Sequence, residues 1–405
     1  MNKSLRRIAV SLLLCAVLLV SLTGCGDKEE RSIAGSTGVT INVYNWGQYI
    51  SDGTDGFIDV NKAFTEATGI GVNYMTFDSN ETMYTKLKTG GSSYDIIIPS
   101  DYMIGRLIQE GMLKPLNFDN IPNYQYIGEA YKNTAYDPDN RYSVPYTWGT
   151  MGVIYNTKYV DEADIGSWNL LWNEKYSGKI LMFDNPRDAF GVAELMLGYS
   201  LNTTESAKLQ SACDLLVEQK PVVQAYVMDQ IYDKMEHEEA WVATYYAGDF
   251  LMMQVENPDL AFYHPEEGFN LFIDAICIPN SCEHQAEAEA YINFLCDPKI
   301  SGQNLDYLGY STPIDEARQY MDPDMANSPI AYPSEEVLAR GEAYLNLPTS
   351  ATQEMDSLWL NVKTSGGGNT LIICIVGLVV VAAVCVFLVM KKNKKKKARK
   401  AAMGK

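Results

Sequence analysis

From residue 38 to 360 the chain alternates short apolar runs with stretches whose apolar residues recur at helical spacing. Residues 40–44 read as a strand. Residues 55–68 read as a helix that Gly69 stops. A strand over 71–77, a helix over 80–89 ended by Gly90-Gly91, a buried strand over 94–99 (YDIIIP) and a helix from about 101 to 110 follow. This β-α-β-α-β-α order predicts an α/β protein with a largely parallel sheet covered by helices. Later strands are expected at 152–155, 179–183, 241–246 and 270–278, with helices near 187–199, 205–219 and 283–296. No internal repeat is visible. At 405 residues the chain exceeds one small core and suits two lobes.

The two ends break this pattern. Lys3, Arg6 and Arg7 precede an apolar run over 8–22 that closes with Leu22-Thr23-Gly24-Cys25, the layout of a secretory signal over 1–24. The closing residues resemble a bacterial lipobox, which implies lipidation of Cys25 and a polar tether over 25–38. At the other end, a linker over 361–370 contains Gly366-Gly367-Gly368. Residues 371–390 carry no charge and are long enough for a transmembrane helix. The basic tail over 391–405 is expected in the cytoplasm, with the preceding body outside the cell. The expected location is therefore the cell membrane, with a lipid, a transmembrane helix or both as anchor.

Charge sharpens the picture. Residues 1–24 and 371–405 hold twelve of the 32 basic residues and no acid, so the chain between them holds 20 basic against 51 acidic residues, a net charge of −31. Such a body repels nucleic acid and attracts cations. The body has four cysteines, Cys213, Cys277, Cys282 and Cys296, without the paired spacing of a metal site, and their disulfide state is open. Cys282 and His284 read better as a helix start than as ligands.

Open α/β sheets bind ligands beyond the carboxyl ends of their strands. Trp46 and Tyr49 follow the first strand in YNWGQYI, and Ser100, Asp101 and Tyr102 follow YDIIIP. Asp184, Asn185, Arg187 and Asp188 follow KILMF; Tyr245, Tyr246 and Asp249 follow WVAT. Phe272 and Asp274 stand inside the strand NLFIDAICIP, where an acid is unexpected. An aromatic face attracts a cation by roughly 0.5–2 kcal/mol. A carboxylate accepting from an ammonium gains roughly 1.5–3 kcal/mol. Rings also cover methylene groups at about 25 cal/mol per Å². A flexible alkyl chain with ammonium ends uses all three.

Catalysis finds little support. The chain has only His237, His264 and His284, and no GxSxG, P-loop or HExxH. Asp184 and Asp188 suit a glycosidase only if held at a defined separation across a sugar. The expectation is a binding protein, not an enzyme, without cofactor or metal. Adjacent Tyr245-Tyr246 keeps a ferric-iron receptor of the same architecture as an alternative, and the membrane segments keep a tethered sensor.

YNWGQYI, NETMYTKLKTG (80–90), YDIIIPSDYMI (94–104), YSVPYTWGTMGVIYN (142–156), SWNLLWNEKYSGKI (167–180), DAICIPN (274–280) and YLGYSTP (307–313) resemble, in collinear order over about 40–347, the spermidine/putrescine-binding proteins of ABC transporters. The resemblance implies a two-lobed clamshell of the type II periplasmic-binding-protein kind, each lobe a mainly parallel sheet flanked by helices. It implies one lobe over 39–147 and 275–310, and another over 148–274 and 311–360. It also implies polyamine capture by hinge closure and delivery to permease subunits. On this pattern Trp46 and Tyr49 form an aromatic wall, and Ser100 and Tyr102 sit at an opening. Asp188 and Asp274 grip amines, and Tyr246, Phe272 and Tyr310 line the site. Asn185 stands where a spermidine-preferring member carries an acid, with Asp184 adjacent. Gly47 replaces a small hydroxyl residue and Leu345 a polar one. These departures lean slightly toward putrescine over spermidine.

Overall fold

The computed structural model describes residues 38–90 and 93–365. The expected signal peptide, Cys25 with its tether up to residue 37, the span over 371–390 and the lysine-rich tail lie outside the described residues. No helix among the described residues is long and apolar enough to cross a membrane.

The strands are β1 (Thr40–Trp46), β2 (Gly71–Phe77), β3 (Ile96–Ile97), β4 (Ser143–Asn156), β5 (Ile180–Phe183), β6 (Val223–Val227), β7 (Val242–Tyr246), β8 (Leu260–Tyr263), β9 (Phe269–Cys277) and β10 (Gly341–Glu342). They pair in the order β2-β1-β3-β9-β4-β7-β5-β6, with β8 on β4 and β10 on β9. The sheet is mixed rather than mainly parallel. β1 runs parallel to β2 and β3, and β5 runs parallel to β6 and β7. Between these blocks β4 is antiparallel to β7, β8 and β9, and β9 is antiparallel to β3. The chain passes twice through the middle in opposite directions, and adjacent antiparallel strands need no crossover helix.

Those two passes join two cores. Val144 and Tyr146 of β4 pack with Ile41, Val43 and Ile96, whereas Met151, Val153 and Ile154 of the same strand pack with Trp168, Phe183 and Phe250. β9 does the reverse, with Phe269 in the second core and Phe272 and Ile276 in the first. β4 is buried almost throughout, so it lacks the polar alternation that marks a half-exposed strand. Gly149 and Gly152 let the tips of two rings come up against it. A Cβ there would meet Phe272 Cζ at 2.7 Å and Phe262 Cζ at 2.3 Å.

Two expected boundaries shift. Ile314, Ala317, Met321 and Ala326 bury their side chains in the first core, although 311–360 was expected in the second lobe. Their segment packs back on helix Pro298–Leu308, directly before it in the chain. Residues 361–364, expected in a linker, complete helix Thr349–Thr364, whose Val362 is buried in the second core.

Local chemistry sets the helix ends nearest the cleft. Helix Asn80–Thr89 begins with a reciprocal capping box between Ser79 and Thr82. Helix Pro186–Met196 begins with proline, and the Asn185 side chain accepts from Asp188 N at 2.8 Å. Helix Gln285–Leu295 has His284 at its N-cap, where the sequence placed a helix start. Cys213, Cys277, Cys282 and Cys296 are all unpaired and buried.

Candidate ligand-binding cleft

One cleft holds about 790 Å³ of empty space between the two cores. Among the described residues seven carboxylates line it, and no Lys, Arg or His does. Of the eleven residues expected from sequence, ten line this cleft: Trp46, Tyr49, Ser100, Tyr102, Asn185, Asp188, Tyr246, Phe272, Asp274 and Tyr310.

Asp274 sits on β9 opposite Thr147 of β4, and a backbone bridge ties it to Ser100. It is only 4% exposed. The Tyr49 hydroxyl donates to Asp274 Oδ2 at 2.7 Å and pairs with Thr147 Oγ1 at 2.6 Å. The other oxygen, Oδ1, is buried without a hydrogen-bond partner. Burial pushes this carboxyl up to about 6, the nearby Asp188 charge adds to it, and the Tyr49 hydroxyl opposes it together with the Ser100 hydroxyl, which lies close to the carboxylate without reaching hydrogen-bond geometry. A buried acceptor left open costs about 1–3 kcal/mol, so this atom is primed for a donor.

Asp188 comes from the second lobe. Asn185 Nδ2 donates to its Oδ2 at 2.8 Å, and the Tyr246 hydroxyl donates to the same oxygen at 2.5 Å. Asn185 therefore acts as helix cap and as orienter of Asp188. Burial raises the Asp188 carboxyl, against the pull of Tyr246 and Asn185. Asp249 accepts from Tyr232 at 2.7 Å and from Tyr310, and burial pushes it up to about 6. Since Tyr310 packs in the first core and Asp249 lies in the first turn of a helix of the second lobe, that bond spans the cleft.

The rings form the walls. Tyr49 and Tyr310 meet edge-on at 5.1 Å, and Tyr246 and Phe272 at 5.4 Å. Trp46 leans on Phe77 at 4.6 Å, and Tyr102 meets Tyr344 at 6.0 Å. Tyr102 also donates to Glu81 at 2.9 Å and accepts from Asn80 at 3.1 Å.

Asp184 is the exception. Its Oδ1 pairs with Lys363 Nζ at 2.5 Å on helix Thr349–Thr364, away from the cleft. Its side chain turns to Lys363, so adjacency to Asn185 does not bring it inside. Asp78, Glu81, Met228, Asp229 and Tyr344 line the cleft without having been selected from sequence. Glu81 lies in the matched segment NETMYTKLKTG, which was the available signal. Asp229 follows β6, a half-exposed strand with no clear pattern. Leu345 does not line the cleft, and its carbonyl accepts from Arg187 at 3.2 Å.

An acid-lined, aromatic-walled cleft between two doubly connected lobes defines a receptor for a small cationic solute. Comparison with known proteins agrees. The family model for bacterial extracellular solute-binding proteins matches residues 60–333. The spermidine/putrescine-binding periplasmic protein of Escherichia coli (strain K12) is 33% identical over 304 residues, covering 75% of this chain and 86% of its own. The crystal structure of the spermidine/putrescine ABC transporter substrate-binding protein of Streptococcus pneumoniae superposes with a TM-score of 0.69 at 36% identity, over 80% of this chain and 99% of its own. A lipoprotein of Treponema pallidum superposes with a TM-score of 0.71 at 27% identity, over 80% and 99%. The chain belongs to the bacterial extracellular solute-binding proteins, in the spermidine/putrescine-binding family.

Proposed function

We propose that this protein is the extracellular receptor of a polyamine importer. It captures a linear di- or triamine such as putrescine or spermidine between its lobes and presents it to permease subunits, with no chemistry done on the ligand. The observation that carries this reading is Asp274 Oδ1, a buried acceptor with no partner, in a cleft with seven carboxylates and no basic side chain among the described residues. An ammonium supplies the missing donor and the missing charge together. The rings of Trp46, Tyr246 and Phe272 cover the methylene chain, and Asp188 takes a second share of the positive charge. Lobe closure follows because the ligand contacts both lobes at once and so favours the closed state. On this reading the lobes are divided near 147 and 274 by the two crossing strands. Cys25 and the 371–390 segment tether the body outside the membrane. Tyr245 and Tyr246 do not favour the ferric-iron alternative, because burial raises both phenols and keeps them protonated. Titration calorimetry of residues 26–364 with putrescine, spermidine and Fe(III) tests the reading. Saturable heat with an amine and none with iron is expected; heat with iron alone would overturn it.

A further inference from the structure

Gly47 and Asp229 both line the cleft and lie against each other. A Cβ on Gly47 would lie 2.7 Å from Asp229 Oδ2, closer than a real side chain can approach. Gly47 does not need left-handed backbone, so its missing side chain answers to the space that Asp229 occupies. Asp229 leaves β6 on the second lobe, whereas Gly47 follows β1 on the first. Asp78, at the end of β2, lines the same cleft and repels Asp229 electrostatically. Asp249 also lies within electrostatic reach. Asp274 and Asp188 repel each other in a second grouping that Asp101 and Glu81 join. The cleft thus carries two anionic groupings, and no lining side chain among the described residues neutralises either.

Resting on the polyamine reading, we propose that Asp229 is a specificity-determining residue: seated against the Gly47 backbone, it receives the ammonium at the far end from Asp274. The buried open oxygen of Asp274 fixes the first ammonium. Asp229 then measures whether a second positive end exists. A monoamine satisfies Asp274 and leaves the solvent-facing Asp229 without an amine partner. A diamine or triamine gives Asp229 a cationic partner as well and so contacts both lobes at once. The chain would in this way meet a second nitrogen from the second lobe, at a point where position 47 offers no side chain of its own.

The test titrates wild type, Asp229→Asn, Gly47→Ala and Asp184→Asn with putrescine and spermidine, and measures n-butylamine by competition. Asp184→Asn removes the same charge outside the cleft and controls for long-range electrostatics. Asp229→Asn is expected to weaken putrescine at least ~10-fold, equal to about 1.4 kcal/mol, and to leave n-butylamine within about twofold. Gly47→Ala should weaken putrescine too, and should add little to Asp229→Asn, because both disturb the same contact. Unchanged putrescine affinity in Asp229→Asn would overturn the inference, as would equal losses in Asp184→Asn or a parallel loss for n-butylamine. Wild type that binds no amine would overturn the polyamine reading together with it, whereas wild-type binding with an indifferent Asp229 overturns this inference alone.

Discussion

The Tyr49 hydroxyl donates to Asp274 Oδ2 at 2.7 Å, joining residues 225 apart in sequence and leaving Oδ1 of the same carboxylate open. One oxygen is anchored and the other is free, so the carboxylate is oriented before the ligand arrives. Removing the acid should be far worse than removing its anchor. Asp274→Ala forfeits a charged hydrogen bond of roughly 1.5–3 kcal/mol, or about 10–150-fold in affinity. Tyr49→Phe should cost about tenfold or less. Calorimetry on both variants checks the order.

Binding should depend on pH through this group. Burial pushes the carboxyls of Asp274 and Asp249 up to about 6. An ammonium needs the ionised form, so affinity should be flat above about pH 7 and fall as pH drops through 6. The Tyr49 bond holds Asp274 down. Tyr49→Phe should therefore move the midpoint of this fall to higher pH, a change that a merely weakened fold would not produce. Affinity measured from pH 5 to 8 in both proteins gives the answer.

Stability has its own pH signature at Glu194. This residue is 1% exposed, and neither carboxylate oxygen has a partner. Burial pushes it from 4.5 to about 8, against the pull of Arg187. The unfolded chain ionises near the lower value and the folded one near the upper. Between them the folded state holds the extra proton, so stability falls as pH rises, with the full penalty above about 8. Each tenfold difference in proton affinity between the two states is worth roughly 1.36 kcal/mol. Glu194→Gln should therefore have little effect at pH 5 and should stabilise by a few kcal/mol at pH 9. Thermal unfolding at the two pH values would show a growing gap in melting temperature. A constant gap would count against the assignment.

Gly248 tests the contact that joins the lobes beside Asp249. A Cβ there would meet Tyr310 Cδ2 at 2.4 Å and Cε2 at 2.5 Å. Gly248→Ala must displace the Tyr310 ring, and with it the hydroxyl bond to Asp249 and the edge contact with Tyr49. Polyamine affinity should fall at least about tenfold, while the melting temperature stays close to wild type. Titration paired with calorimetric unfolding separates the two effects.

Much of the first lobe was legible because its signals are local. β2 keeps its expected bounds, and helix Asn80–Thr89 lies between a capping serine and Gly90. The strand expected over 94–99 narrows to Ile96–Ile97, since burial of YDIIIP does not say how many residues pair. β4 and β6 were under-read or missed for opposite reasons. β4 is buried on both faces and shows no alternation, and β6 is too exposed to show an apolar run. At the cleft, Trp46 at the end of β1, Tyr49 just beyond it and Asp274 inside β9 were readable because each stands where its type is out of place. Asp184 and Asp229 were not. Which flank of a helix cap an acid takes, and which loop reaches across from the other lobe, depend on tertiary packing that no local pattern records.

The most direct measurement is a crystal structure of residues 26–364 grown with putrescine. The account places one ammonium within about 3 Å of Asp274 Oδ1, hydrogen-bond distance, with the methylene chain between the rings of Trp46, Tyr246 and Phe272. An amine bound elsewhere, or a cleft that holds none at saturating putrescine with Asp274 Oδ1 still unpartnered, would contradict it.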